Sequence, residues 1–600
     1  MRQRMLRPVI RSRSTTFVPA PLRPLWLLPW LAVLCGAAPA LAAPSLQVVV
    51  EGVRAELRTN VRRHLLIWRE RNDATLDERR IRRLHAGAER QIQAALRAYG
   101  HFRATVESEL TNDAGRWRAR YRIEPGPVIP IGTVELRLLG PGAAEPELVR
   151  LLAASGLQTG APLDQQAYED FKYGLQRAAA ALGYTDAEFA ASRIDVRLDT
   201  YRADIALALD TGPLYRFGAF SFRQQGGVDY DPAFVQRFLT LGPGERYRPQ
   251  QLVALRTRLL DSQYFSAVEL EPRRDQARDL HIPVDILTTA DRTSRYRFGI
   301  GMTTDTGARV SARHNRVVNR SGHRLGLEAR IAQQDQSALA EYRIPLADPA
   351  TEHLAFSAGS ETQDTDNRDS RILKFGAARS GLRAGWTETL GLAVEHEDFQ
   401  VGGEHDASLL VMPNARWQRR HADHPLFPRH GWRLDLELLG STEALGADVH
   451  FAQGRLGGKY ILPLGDAGRL LLRGQAGTTL TDTFDQLPGS KRFFAGGDQS
   501  VRGYQFEELG PRNAEKKVEG GRHLLVGSLE FDHRVTERWG AAAFVDTGNA
   551  VDGFGDPLRT GVGIGIRLRT PVGPVRLDLA RGLDDPDADF RIHLSVGPDL

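Results

Sequence analysis

The decapeptide GWRLDLELLG (431–440) decides how the second half of this chain is read. Trp432, Leu434, Leu436 and Leu438 alternate with Arg433, Asp435 and Glu437. An extended strand points successive side chains to opposite faces, so this segment has one apolar and one charged face. The same alternation returns in PVRLDLARG (574–582), where Val575, Leu577 and Leu579 alternate with Arg576 and Asp578. It returns again in FRIHLSVG (590–597), where Ile592, Leu594 and Val596 alternate with Arg591, His593 and Ser595. A soluble β-sandwich would show the same alternation, so length has to decide. Strand texture with glycines every few residues runs from residue 291 to residue 600. A membrane strand needs about 9–11 residues plus a turn. At roughly 19 residues per strand and connection the region holds about 16 strands. An even-numbered transmembrane barrel with an apolar exterior and a polar lumen is expected over 291–600.

Upstream the period changes. IEPGPVIPIGTVEL (123–136) returns as LDTGPLYRFGAFSF (209–222), placing Gly126 and Gly212 86 residues apart. Tyr168, Phe171, Leu175, Ala178 and Leu182 recur at helical steps, as do Leu252, Leu255 and Leu259. A repeat of this length means small tandem α/β modules. Three are expected, at 43–125, 126–213 and 214–290, giving an α+β region followed by an all-β one.

The 600 residues have a formal charge of +5, a mean hydropathy of −0.35 and one cysteine, Cys35. Residues 1–42 contain Arg2, Arg4, Arg7, Arg11, Arg13 and Arg23, no acid, the run LWLLPWLAVLCGAAPALA and the triplet Ala40-Leu41-Ala42. These are the parts of a secretory signal peptide. Loss of its six arginines turns +5 into −1, which removes support for a nucleic-acid partner. A multi-helix membrane protein is excluded by the hydropathy. A disulfide framework is excluded by the lone cysteine.

Two further segments carry a family resemblance: SRYRFGIGMTTDTGARVSARHNRVVNRSGHRL (294–325) and KRFFAGGDQSVRGYQFEELGP (491–511). The second resembles the hallmark loop of the BamA/TamA-type POTRA-barrel superfamily through Phe493, Phe494, Gly496, Gly497, Val501, Arg502, Gly503 and Tyr504. Three modules, the Thr304–Gly307 stretch and the GPDL ending are similar to the TamA branch of it. The resemblance implies three periplasmic POTRA domains and a 16-stranded outer-membrane barrel with a long loop at 485–522. It implies a role in inserting β-barrel proteins and autotransporters with an inner-membrane-anchored partner of the TamB kind. Delivery of phospholipid to the outer membrane and two-partner-secretion transport are its alternatives. The latter usually has two modules and a plug helix, whereas here LQVVV (46–50) reads as a strand.

By the same resemblance, Arg502 folds into the lumen and pairs with acids on VGSLEFDHRV (526–535) and AAFVDTGNAV (542–551), namely Glu530 and Asp546. Alternation places Glu530 opposite Leu529 and Phe531, so it faces the lumen if they face lipid. An arginine fork engages a carboxylate through two parallel bonds that lysine cannot reproduce.

The first and last strands must meet at a seam. Gly299 and Gly301 pack poorly there, and Pro598 lacks an N–H after Ile592, Leu594 and Val596. Pairing between 296–302 and 591–596 is expected to be weak, leaving an edge open to an arriving strand. The glycines of GVGIGIR (561–567) precede no helix, so dinucleotide binding fails. HADH (421–424) with His430 reads as a hydrated loop. Clustered arginines between Arg54 and Arg90 read as a solvated face or a partner and headgroup surface. There is no P-loop, HExxH or GxSxG motif, so no enzymatic activity, cofactor or metal is expected.

Overall fold

The computed structural model describes residues 45–73, 75–571, 573–584 and 589–597. The signal-peptide expectation with Cys35, and Pro598, lie outside them.

Three small three-stranded sheets with the same strand order precede the barrel in the chain, and the first and third pair their middle strand with one parallel and one antiparallel neighbour. In the first, β1 (Ser45–Glu51), β2 (Thr105–Asp113) and β3 (Arg116–Glu124) are ordered β1-β3-β2, with helices α1 (Ala55–His64), α2 (Leu66–Arg69), α3 (Glu78–Ala86) and α4 (Ala88–Arg97) between β1 and β2. Alternate residues of β3, Trp117, Ala119, Tyr121 and Ile123, pack on Ile81, Ile92 and Leu96 of the helices. In the second, β4 (Ile131–Leu139), β5 (Glu188–Arg197) and β6 (Arg202–Asp210) are ordered β4-β6-β5, with α5 (Pro146–Ala153) and α6 (Gln165–Ala181). In the third, β7 (Arg216–Gln225), β8 (Phe265–Pro272) and β9 (His281–Ala290) are ordered β7-β9-β8, with α7 (Pro232–Gln236) and α8 (Pro249–Asp261). The repeated glycines Gly126 and Gly212 have φ of 66° and 63°. A side chain is disfavoured there, which explains why the repeat retains glycine.

Sixteen strands then close a barrel in sequence order. They are β10 (Ser294–Thr303), β11 (Gly307–Val317), β12 (Arg324–Ala332), β13 (Asp335–Pro345), β14 (His353–Asp364), β15 (Arg368–Arg383), β16 (Trp386–Val401) and β17 (Glu404–Ala422). The second half comprises β18 (Gly431–Ser441), β19 (Phe451–Leu464), β20 (Gly468–Leu480), β21 (His523–Arg534), β22 (Trp539–Val551), β23 (Arg559–Thr570), β24 (Gly573–Gly582) and β25 (Arg591–Val596). Closure leaves the outward apolar face for lipid: Phe298 is 81% exposed and Ile300 89%. The HADH segment falls at the end of β17 and in the following turn, where Asp423 accepts from the backbone N–H groups of Arg429 and His430.

The third module is fastened to two barrel turns. Val317 and Ala350 pack against its core. The Tyr264 hydroxyl donates to the Gly322 carbonyl at 2.7 Å. The Arg324 guanidinium lies 3.6 Å over the Tyr264 ring and donates to the Ser262 carbonyl at 2.7 Å. A desolvated cation–π contact of this kind contributes about 2 kcal/mol. Arg237 donates to the Leu346 carbonyl at 2.8 Å, and Arg258 pairs with Asp348. These bonds identify the end of the barrel carrying residues 318–323 and 346–352 as the module end.

Gly322 has φ of 79°, and a Cβ there would overlap the Phe234 ring. Gly322→Ala is therefore expected to weaken the docking by about 1–3 kcal/mol. Trypsin should cut faster at Arg292, between module and barrel, while unboiled protein keeps its folded-barrel migration. Unchanged cleavage would show that this contact does not hold the module.

Candidate functional site

The loop between β20 and β21, residues 481–522, folds over a lumen wall whose polar face follows directly from alternation. Leu529 and Phe531 are 42% and 37% exposed, while Glu530 between them is 7% exposed. Asp546 is fully buried and Asp578 nearly so. Into this acidic wall the loop inserts Arg502. Its Nε donates to Asp546 Oδ2 at 2.7 Å and its Nη2 to Asp546 Oδ1 at 3.0 Å, the two-pronged geometry that lysine cannot make. Its Nη1 donates to Glu530 Oε2 at 2.7 Å and to Asp578 Oδ2 at 2.9 Å. The guanidinium also stacks 3.3 Å over the Phe544 ring.

The structure thus brings Arg502, Glu530 and Asp546 together, and adds partners that the motif did not name. Arg567 donates to Glu530 Oε1 at 2.6 Å and pairs with Asp578. Arg469 pairs with Asp532 at 2.6 Å. Four acids and three arginines from β20 to β24 and the loop form one buried network. The alternation in PVRLDLARG put Asp578 on the charged face, but only the register places it beside Arg502.

The network also accounts for the glycines of GVGIGIR. A Cβ at Gly561 would overlap the Arg502 carbonyl, one at Gly563 the Phe544 ring, and one at Gly565 the Asp578 carboxylate. Gly561 makes room for the loop, while Gly563 and Gly565 make room for Phe544 of β22 and Asp578 of β24, beside the inward Arg567. Other motif residues shape the loop itself. Gly496, Gly497 and Gly503 have φ of 101°, 94° and 97°. Val501 is fully buried. The Tyr504 hydroxyl reaches Asp584 Oδ2 at 3.2 Å. Phe493 bridges to Gly521, and Arg368 lies over the Phe494 ring while pairing with Glu507 at 2.8 Å.

The seam differs from the expected stretch. Among the described residues, β10 and β25 share one paired position, Thr303↔Ser595, just beyond 296–302. Thr304 adds a bond from its N–H to the Leu594 carbonyl and accepts from the Leu594 N–H, both at 3.3 Å. Gly299 and Gly301 pair with Ser311 and Arg309 of β11 and have no seam-side partner among the described residues. Ile592, Leu594 and Val596 pair with Leu579, Leu577 and Val575 of β24. The stretch Ser294–Met302, which has no β25 partner among the described residues, spans about 30 Å toward the module end.

Loop side chains hold the seam where it does close. Asp498 Oδ1 accepts from Thr304 Oγ1 at 2.7 Å and from His593 Nδ1 at 2.6 Å. The Asp498 N–H donates to Asp305 Oδ2 at 2.7 Å, and the Gly503 N–H donates to His593 Nε2 at 3.0 Å. Nε2 is therefore the acceptor, and the ring is the neutral tautomer with its proton on Nδ1. Polar atoms of Asp305, Asp498 and His593 lie within 4.8 Å of one another, close enough to share a cation. A cation on Nδ1 would have to displace the proton that Asp498 holds, so the cluster works as a hydrogen-bonded latch. Sequence reading missed it, since the three residues meet only through closure.

The fold and this loop site define a class: outer-membrane barrels that carry soluble modules and an inward-folded loop beside a seam. Residues 319–599 match the Omp85 superfamily domain and residues 47–125 match the POTRA domain of TamA, domain 1. The barrel carries an Omp85 superfamily domain, and it lies in the outer membrane with the POTRA modules in the periplasm. Its sequence is 22% identical over 389 residues to the outer membrane protein assembly factor BamA of Nitratidesulfovibrio vulgaris, covering 60% of this chain and 49% of that protein. The chain thus spans about half the length of that curated relative. The structure of Haemophilus ducreyi BamA lacking POTRA domains 1–3 superposes with a TM-score of 0.63 at 16% identity, covering 78% of this chain and 99% of that one. CdiB from Acinetobacter baumannii gives 0.45 at 14% identity, covering 79% and 90%.

Arg502→Ala leaves three buried carboxylates short of a partner, which costs about 3–5 kcal/mol in a dry site. Lumen water lowers that figure. The variant is expected to insert as a barrel but to lose protease protection across 485–522, and Arg502→Lys to recover it only in part. His593→Phe, which removes both latch bonds, is expected to expose the same loop without disturbing the Arg502 contacts. Wild-type protection in both Arg502→Ala and His593→Phe would show that neither group holds the loop.

Proposed function

We propose that this protein assists the insertion of β-barrel outer-membrane proteins, autotransporters among them, together with a TamB-like inner-membrane-anchored partner. The reading takes the protein to be non-enzymatic. It rests on one observation above all: the seam edge of β10 from Ser294 to Met302 has no β25 partner among the described residues. An edge of unpaired N–H and C=O groups is a template for another strand. It lies on the periplasmic side, where an unfolded client arrives past the POTRA modules. The family match and the BamA relative support the same direction.

In this mechanism the client strand adds to β10 while the loop latch holds the opposite, extracellular end of the seam. The barrel then stays one body during assembly. Release requires the client to close on itself, which satisfies its own edges and leaves β10 free again.

A disulfide at the paired position tests this. With Cys35→Ser as background, Thr303→Cys and Ser595→Cys place two thiols on directly opposed residues, where Cα atoms lie about 4.5–5.5 Å apart. A bridge at the latched end should leave client assembly intact, because the open stretch lies below it. A second, longer cross-link from Gly299→Cys to Val596→Cys, made with a bifunctional maleimide, should abolish assembly. Full assembly by a barrel cross-linked at Gly299 and Val596 would exclude the β10 edge as the client site.

A further inference from the structure

The first module divides its charge unequally between two faces. Its helical stretch, residues 54–97, holds twelve arginines, no lysine and six acids. On the outer face of the sheet, Arg116, Arg120 and Arg122 of β3 lie directly opposite Asp113, Glu109 and Glu107 of β2. Charge cancels there: Arg116 is 3.8 Å from Asp113 and Arg122 3.9 Å from Glu107, while Arg118 donates to Gln47 at 3.0 Å. The helix layer keeps its excess. Of its acids, Glu70 and Glu78 accept from Arg80 and Arg82, both at 2.9 Å, and Asp77 caps α3. Arg62 and Arg71 lie 4.2 Å and 4.1 Å over the Trp68 ring. Six more, Arg63, Arg69, Arg79, Arg83, Arg90 and Arg97, are exposed and make no hydrogen bond or ion pair among the described residues. Each stands two positions from a buried residue of its own helix: Val61, Ile67, Ile81, Ile92 or Ala95. Two positions turn about 200° around a helix axis, so all six point away from the core. Asn60 of α1 donates to the Ala95 carbonyl of α4 at 2.9 Å, and the Leu66 N–H of α2 to Gln91 of α4 at 2.8 Å, which ties the helices into one layer.

The surface is particular to this module. Residues 126–213, the second module, hold seven basic and twelve acidic side chains. What the arginine layer fits follows from what it lacks. Protein interfaces draw their affinity from buried aromatic and apolar anchors. Among the described residues of 54–97, Leu66 is the one large apolar side chain left exposed, since Trp68 packs on the core beneath its two arginines. A field of cations without an anchor matches a surface that is itself a field of anions. The modules lie in the periplasm, a compartment bounded by phospholipid headgroups. Arginine forks match phosphate oxygens two at a time, and basic groups near an anionic membrane add their contributions one by one. We propose that the helix layer of the first module docks on the headgroup surface of an anionic phospholipid membrane, with these six arginines as its contacts. The docking is independent of client assembly and stands or falls by membrane binding alone.

The test holds the full chain in phosphatidylcholine nanodiscs and floats it with separate vesicles. One set is phosphatidylcholine alone; the other is phosphatidylcholine and phosphatidylglycerol at about three to one. The expected result is a preference for the phosphatidylglycerol vesicles on the order of ten-fold at about 0.1 M salt. It should vanish near about 1 M salt, where the screening length falls from about 10 Å to about 3 Å. Arg79→Gln/Arg83→Gln/Arg90→Gln is expected to weaken binding by about ten-fold or more. Arg116→Gln/Arg118→Gln/Arg122→Gln removes the same charge from the sheet face and is expected to stay within about three-fold of wild type. Equal losses in the two variants would overturn the proposal, since net charge and not the helix layer would then set binding. Equal flotation with both vesicles, or a preference that survives about 1 M salt, would overturn it as well. No flotation with either would do the same and leave an acidic protein as the occupant. Far-ultraviolet circular dichroism checks that the variants keep their helices; should one fail, the lipid and salt series on wild-type protein decides by itself.

Discussion

One guanidinium in the lumen organises the second half of the barrel. Strands β21, β22 and β24 point Glu530, Asp546 and Asp578 at the same small volume, with Asp532 beside them. Two carboxylates about 4 Å apart repel by about 4 kcal/mol at an effective dielectric of 20. Arg469 of β20 and Arg567 of β23 offset part of this within the wall, and Arg502 from the loop supplies the rest. Because Arg502 belongs to the loop, loop insertion completes the charge balance of the wall that barrel closure assembles. The glycines of β23 belong to the same constraint, since a side chain at Gly561 would exclude the loop and one at Gly565 would displace the Asp578 carboxylate.

Loop position in turn sets the seam. Residues 498 and 503 flank Arg502, and they reach Thr304, Asp305 and His593 on the two sides of the closure. Six residues of loop, 498–503, thus hold the lumen wall and the seam together. A displacement of Arg502 moves Asp498 and Gly503 with it, so the loop cannot leave the wall and keep the latch.

Much of this was legible in the sequence, and the boundary of legibility has a physical cause. Alternation in GWRLDLELLG and PVRLDLARG fixed which side chains face lipid, because the period of a strand is two. The family motif supplied Arg502, Glu530 and Asp546. Alternation gives the face of a residue but not its height in the barrel, which depends on register and stagger. Hence Asp578 could be placed on the charged face and not beside Arg502, and Thr303↔Ser595 fell outside the expected seam stretch. His593 and Asp305 lie at opposite ends of the barrel sequence and meet only when the sheet closes. The glycines of GVGIGIR could be denied a nucleotide role from sequence, but their purpose depends on the loop at Gly561 and on side chains of the adjoining strands at Gly563 and Gly565.

The result is a barrel with two unlike ends at its seam. Toward the extracellular end, backbone pairing, the Thr304 bonds and the latch close it. Toward the modules, the outer groups of β10 have no strand partner among the described residues. In hydrocarbon each unsatisfied backbone group costs several kcal/mol, so a bare edge of this length cannot face acyl chains. Something polar must solvate it between clients. Water or an arriving strand has to supply those partners. The latch meanwhile ties the other end of the seam through Asp498, Thr304 and His593, so an opening toward the modules does not take the barrel apart.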